Sequence, residues 1–382
     1  MEKVTSFIRN KRKLNTKIVV IIFAFISVFN ILSFLSSSFS NWYRKNIFSI
    51  ISDILPRITG MVSISVGEVM ICLFIFLILL GIIVTVSGFL KSNLLKKIRK
   101  IYFRYMVYIL LFIYWTETFH CFIMYRCDTI ENNNYSSVSK DLAARGNEDN
   151  MNYLADICNY ITDEMNDLSV CLDRNENGDL IPAYSYEECI NALKNVSNTF
   201  ELLDGYYPEP KKIYYSNIMT QQYLAGIYFP FSMEANYNKL MYSSNMPSVI
   251  CHELCHLKGY IREDEANFIS FVACINSDND FIKYSGYLSV YNYIINDIYR
   301  YGNDEIFEKL KSTDELVDYD NIFLKEEDFS EIEENSIIST DKLSEATDVF
   351  LNSNLKMNGI SLGVDNYNEV VKLLVYYYYE QD

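Results

Sequence analysis

Three near-continuous apolar runs crowd the first third of the chain, at about 17–36, 68–90 and 104–125. Each is long enough to cross a hydrocarbon layer of roughly 30 Å as a helix. Almost no charge interrupts them, which argues against three buried helices of a soluble core. Basic clusters flank them: Lys3, Arg9, Lys11, Arg12, Lys13 and Lys17 precede the first run, and Lys91, Lys96, Lys97, Arg99, Lys100 and Arg104 separate the second from the third. The connection between the first and second runs holds only Arg44, Lys45 and Arg57. The positive-inside rule puts both clusters in the cytoplasm. The N-terminus is then cytoplasmic and, after an odd number of spans, everything past about residue 127 is extracytoplasmic. The length of the first run and its lack of a small-residue cleavage pattern favour a retained anchor over a signal peptide. The expectation is a multi-pass protein of the cell membrane.

Charge divides along the same boundary. Residues 1–126 carry 16 Lys/Arg against 4 Asp/Glu, which leaves 17 against 45 in the remainder, out of totals of 33 and 49. A part so acidic is a poor partner for nucleic acid or for anionic lipid. Seven of the nine cysteines follow residue 126, with no CxxC pair, so neither a zinc ribbon nor a disulfide framework can be read. Cys251, Cys255 and Cys274 fall on apolar helix faces and are expected to be small buried hydrophobes.

The organisation that follows is an anchor over 1–126, a polar linker over 127–150 and an extracytoplasmic domain over 151–382. The linker is too polar to form core. Helices are expected at about 151–170 and 185–204. Between them Asp173–Asp179, "DRNENGD", resembles the start of a calcium loop, but Tyr184 stands where that loop needs a bidentate glutamate, which favours a plain turn. Ala225, Ile227, Phe229 and Phe231 alternate with Gly226, Tyr228 and Pro230, the period of a strand. Pro230 cannot donate to a ladder, so that strand belongs at an edge, where an extended peptide could be added beside it. From about 264 onward the pattern is mostly helical, with acidic runs such as Lys325–Glu334 as solvated faces or loops.

The chemistry concentrates in "VICHELCHLKGYIREDEANF", Val249–Phe268, which holds two of the three histidines of the chain. Pro247 marks a helix start and Gly259 its end. His252 and His256 are then one turn apart on one face, so both imidazoles can reach one ion, and Glu253 can act as general base toward water at the open position. A catalytic zinc needs a third protein ligand. His120, the remaining histidine, lies at the outer end of the third span and is expected to be an interfacial polar residue. A carboxylate must serve, and Glu263, Asp264 and Glu265 follow the turn at Gly259. If a second helix begins there, Glu263 and Asn267 share a face, so that Glu263 binds the metal and Asn267 orients a ligand histidine. Glu265 points about 200° away around that helix. Glu263 is therefore favoured over Glu265, although one residue of helix phase reverses the choice.

"HELCH" together with "EDEANF" resembles the HExxH plus ExxA(D/N) signature of the gluzincin metallopeptidases, including the HtpX and prenyl-protease type membrane enzymes and the ImmA/IrrE type. That resemblance implies that Glu263, the first glutamate of the second motif, is a zinc ligand. Asn267 stands where the HtpX-like pattern has aspartate, and the gap between the motifs is very short. Ser40–Glu68, Gly226–Lys239, His252–Phe268 and Asn358–Leu374 are similar to an uncharacterised bacterial membrane-protein family, catalogued as a domain of unknown function, with three membrane spans and an HExxH ectodomain. The fold expected is a three-helix transmembrane anchor plus a mainly α-helical, gluzincin-like α+β ectodomain with a small edge hairpin. The function expected is a membrane-bound zinc peptidase acting on peptide or protein in the cell envelope. The alternative is a non-catalytic metal-binding sensor or an envelope interaction protein.

Overall fold

The computed structural model of the chain describes residues 2–87, 92–144, 147–357 and 369–381. The run Asn358–Leu374 quoted for the family resemblance therefore lies outside the described residues up to 368, as does Lys91 of the second basic cluster. In chain order, α1 (Glu2–Leu35), α2 (Ser37–Tyr43), α3 (Ser49–Thr59), α4 (Val66–Val86) and α5 (Asn93–Glu117) come first. They are followed by α6 (Ile130–Asn134), α7 (Ser136–Ala144), α8 (Asn147–Cys171), α9 (Tyr186–Asn195) and α10 (Ser216–Gln221). Next come α11 (Met246–Leu257), α12 (Glu263–Ile275), α13 (Asp280–Tyr301), α14 (Asp304–Lys309), α15 (Glu315–Asp320), α16 (Glu326–Glu334), α17 (Thr340–Met357) and α18 (Glu369–Tyr379). Three short strands, β1 (Lys211–Lys212), β2 (Gly226–Phe229) and β3 (Glu234–Tyr237), complete the mostly helical fold.

The chain divides into two compact units, one of residues 1–48, 66–127 and 230–232 and the other of 49–65, 128–229 and 233–382. In the first, Thr16–Leu35, Val66–Val86 and Asn93–Arg126 are long and apolar enough to cross a membrane. Only 11%, 6% and 28% of their most apolar stretches are buried. They are not core helices: most of their apolar side chains have no protein cover, as lipid-facing helices require. This is an integral membrane protein. The third helix begins at Asn93, earlier than the apolar run at 104, because Lys96–Arg104 are good helix formers whose stems can lie along apolar surface. Polar groups inside this unit face one another. Asn30 Nδ2 donates to Thr118 Oγ1 at 2.7 Å and to Tyr114 Oη at 3.0 Å, and Tyr102 Oη donates to the Leu77 carbonyl at 2.7 Å.

The second unit is built on α11, α12 and α13. α12 is buried nearly all round, through Ala266, Phe268, Ile269, Phe271, Val272, Ala273 and Cys274. Cys251, Cys255 and Cys274 are fully buried free thiols, as their apolar neighbours require. The strand order is β1-β3-β2, with β3 parallel to β1 and antiparallel to β2 in the register Gly226↔Tyr237 to Phe229↔Glu234. β2 is an edge strand and stops before Pro230, which cannot donate to a ladder. Two expectations are corrected. The stretch 127–150 contributes to the core: it folds into α6, α7 and the start of α8, and Ile130, Tyr135, Val138 and Leu142 are buried. A few well-placed apolar side chains suffice there, because the polar ones between them stay exposed. The helix expected over 185–204 ends at Asn195, since Val196 leaves the helical backbone. Asp173–Asp179 is a turn: Asn175 Oδ1 accepts from the backbone N–H groups of Asn177 and Asp179 at 2.9 Å each. The acidic run Glu326–Glu334 forms α16 without a buried residue.

Candidate metal centre

α11 begins with Pro247 in its first turn and ends at Leu257, where Gly259 takes φ +95. The Gly259 N–H donates to the His256 carbonyl at 3.0 Å and the Tyr260 N–H to that of Cys255 at 3.1 Å. This is a glycine-based helix stop, and it reverses the chain within three residues. Arg262 is extended, so α12 starts at Glu263. The short gap between the two motifs is thus the length of one tight turn, and it carries Glu263 back over the histidine face of α11.

His252 Nε2 stands 3.2 Å from Glu263 Oε2, and His256 Nε2 stands 3.6 Å from Glu263 Oε1. One ligand atom from each of the three residues lies within 4.8 Å of the others, the one such group among the described residues. Ligands at 2.0–2.1 Å around a tetrahedral zinc are roughly 3.4 Å apart. The separations of 3.2 and 3.6 Å, one to each oxygen of Glu263, lie close to that edge, and two imidazoles with one carboxylate are a donor set that suits zinc. Side-chain exposures of 14% at His252 and 26% at Glu263 leave the cluster open on one side. His256 Nδ1 lies 2.7 Å from the Tyr260 carbonyl, which fixes the ring with Nε2 toward Glu263.

Electrostatics follows from this crowding. Burial would raise the Glu263 carboxyl, but His256 and His252 hold it well below the ordinary carboxylate range. Burial works against a charged His256, and Glu263 outweighs it, raising the imidazole to about 9. Glu253 is 6% exposed, and its carboxyl is pushed up to about 7 by burial, against the pull of His252 and His256. A cation at the cluster would favour the ionised form of Glu253. The Tyr228 backbone N–H of β2 bonds to Glu253, and Gly226 passes so close that a Cβ there would collide with the Glu253 carboxylate. Edge strand and candidate base therefore meet directly. On the other side, Tyr293 of α13 is pushed up to about 12, by burial and then by the charge of Glu263.

The remaining candidates are elsewhere. Glu265 is buried and its Oε1 accepts the Ile130 backbone N–H at 2.8 Å, so its carboxylate caps α6. Asp264 faces Arg262 at 3.6 Å. Asn267 Nδ2 is buried without a hydrogen-bond partner. The Tyr260 carbonyl orients His256, a role that backbone geometry supplies and side-chain type does not signal. His120 is buried in the membrane unit with Nδ1 2.7 Å from the Pro230 carbonyl, apart from the cluster.

The fold and the cluster define a class: an integral membrane protein whose mostly helical second unit gathers two histidines and a glutamate at the junction of two helices. The chain belongs to the family described as "Protein of unknown function (DUF3810)", whose model matches residues 43–375. No curated protein and no solved structure matches it.

Proposed function

We propose that the protein is a membrane-bound zinc peptidase of gluzincin type, with its second unit outside the cytoplasm and with peptide or protein of the cell envelope as substrate. The observation that carries this reading is the gathering of His252, His256 and Glu263, one ligand atom from each within 4.8 Å of the others, with both imidazoles 3.2–3.6 Å from the Glu263 carboxylate and one side open. When bound, zinc supplies a Lewis acid that polarises the scissile carbonyl and makes water acidic enough to ionise near pH 7. Glu253 takes the proton of the attacking water as the new C–O bond forms, then delivers it to the leaving amine as the C–N bond breaks. Its burial against Gly226 keeps bulk water from competing for that proton. β2 is the edge strand of its sheet and lies against Glu253, which places an extended peptide added beside it next to the candidate base.

Glu253→Gln and His252→Ala test the reading. The purified full chain is expected to hold one zinc, as is Glu253→Gln, whereas His252→Ala loses it. Hydrolysis of a mixed peptide library should fall about 10²- to 10⁴-fold in Glu253→Gln. Metal retention in both variants, or hydrolysis indifferent to Glu253, would overturn the peptidase. Zinc held by a chain that hydrolyses nothing would select the metal-binding sensor instead.

A further inference from the structure

Residues 49–65 belong to the second unit, yet they carry a face that this unit leaves uncovered. α3 lines up Ile50, Ile54 and Ile58, spaced i, i+4 and i+8, at 56%, 55% and 60% exposure. Met61 (82%), Val62 (45%) and Ile64 (63%) extend the strip past the helix end. Scattered exposed apolar residues are ordinary, whereas a continuous strip of six marks a surface that something covers.

The other side of the same segment is fastened down. The Tyr206 backbone N–H donates to Asp53 Oδ1 at 2.7 Å, and Lys258 Nζ stands 3.8 Å from that oxygen. Lys211 Nζ donates to the carbonyls of Thr59 at 2.8 Å and Ile64 at 3.0 Å, and it also pairs with buried Glu234. The strip is thus held outward on a fixed segment. Lys258 is two residues beyond His256, so the end of the HExxH helix is itself part of the fastening.

We propose that this strip is seated in the lipid–water interface of the membrane that the chain spans. Chain connectivity names the occupant. Ile64 is two residues before Val66, where a helix long and apolar enough to cross a membrane begins, so the strip ends where the chain passes into lipid. Two such helices, Val66–Val86 and Asn93–Arg126, separate residues 49–65 from residues 128–382. Two crossings return the chain to the side it left, consistent with both stretches belonging to one compact unit. A helix with one apolar face lies in the interface with that face about 5–10 Å deep. The consequence for substrate, which rests on the peptidase reading, is that the site acts on the juxtamembrane segment of a membrane-anchored polypeptide.

The full chain, with exposed Cys72 and Cys171 and partly exposed Cys121 replaced by serine, is labelled with an environment-sensitive fluorophore on one introduced cysteine at Ile54, at Met61 or, as a control, at exposed Tyr299. It is placed in phosphatidylcholine nanodiscs with and without lipid spin-labelled near the headgroup. The expected result at Ile54 and Met61 is blue-shifted emission that spin-labelled lipid quenches, with neither effect at Tyr299. Water-like emission at all three positions overturns the proposal. So does a blue shift without quenching, which would mean that protein, such as a second copy of the chain, covers the strip. This readout needs no metal, so zinc analysis of the same samples separates failure of the metal reading from failure of the docking. The paired variant Ile54→Asp/Met61→Asp then tests the substrate consequence. Cleavage of a soluble peptide is expected to persist while cleavage of the same peptide tethered to lipid is lost; equal loss of both overturns it.

Discussion

α4 and α12 are both apolar along most of their length, and they occupy opposite environments. In α4 the most apolar stretch is 6% buried, whereas in α12 Phe268, Ile269, Phe271, Ala273 and Cys274 are wholly enclosed. Hydrophobicity alone does not distinguish them; what differs is the solvent each must satisfy. In the membrane unit lipid already covers the apolar side chains, so polar groups such as Asn30, Tyr114 and Thr118 join helices by hydrogen bonds that lipid cannot supply. In the second unit apolar burial makes the core, and polar groups enter only where partners meet them. The head of α12 shows how fine that division is. Glu263 faces two histidines, and Glu265, two residues on, faces a backbone N–H of α6.

The largest expected effect breaks the comparison at that point. Glu263→Ala should abolish stoichiometric zinc, read by metal analysis of the purified full chain, and leave the fold in place. Glu265→Ala should keep the zinc and cost about 1–3 kcal/mol in a denaturation curve, because the Ile130 N–H would lose its buried partner. An exchange of these two outcomes would move the third ligand to Glu265. Next, Phe271→Ala should cost about 3–5 kcal/mol through the cavity left in a closed core; a loss below about 1 kcal/mol would show that α12 is loosely packed. Phe76→Arg, near the middle of α4, should cost roughly 2.5–3.5 kcal/mol of insertion, measured as the membrane-integrated fraction. Ile337→Arg, at a fully exposed position of the second unit, should change stability by less than about 0.5 kcal/mol. Equal tolerance of both arginines would remove the membrane assignment of α4.

The smallest effect concerns acid. Burial works against the Glu131 charge, but Lys372 at 2.9 Å, with Ser139 and Tyr376, holds its carboxyl below the ordinary value. A carboxyl lowered on folding adds stability that is present above its unfolded value of about 4.3 and is lost as pH falls through the folded value. Glu131→Gln should flatten that part of a profile of unfolding free energy against pH by under about 1 kcal/mol. An unchanged acid limb would show that the pair contributes nothing.

Much of this was legible before any coordinates. The three apolar runs, the spacing of His252 and His256, and the edge position of the strand near Pro230 are local patterns and survive folding, although the strand stops at Phe229 and does not run on to Phe231. What could not be read depended on distant neighbours. Ile130, Tyr135, Val138 and Leu142 looked like stray apolar residues in a polar linker, because their value as core comes from helices far along the chain. The partner that orients His256 is hidden for a similar reason: it is a backbone carbonyl at Tyr260, brought round by Gly259. β1 is two residues long, too short to leave a period.

The sequence by itself determined that three helices are long and apolar enough to cross a membrane, and that two imidazoles share one helix face, since a spacing of four residues dictates it. Only the tertiary structure brings Glu263 beside the two histidines and Glu265 beside the Ile130 N–H. Their side chains differ by about 200° around one helix. The phase is set by an extended Arg262 after a left-handed Gly259, and Glu265 is already engaged by an N–H that lies 135 residues earlier in the chain.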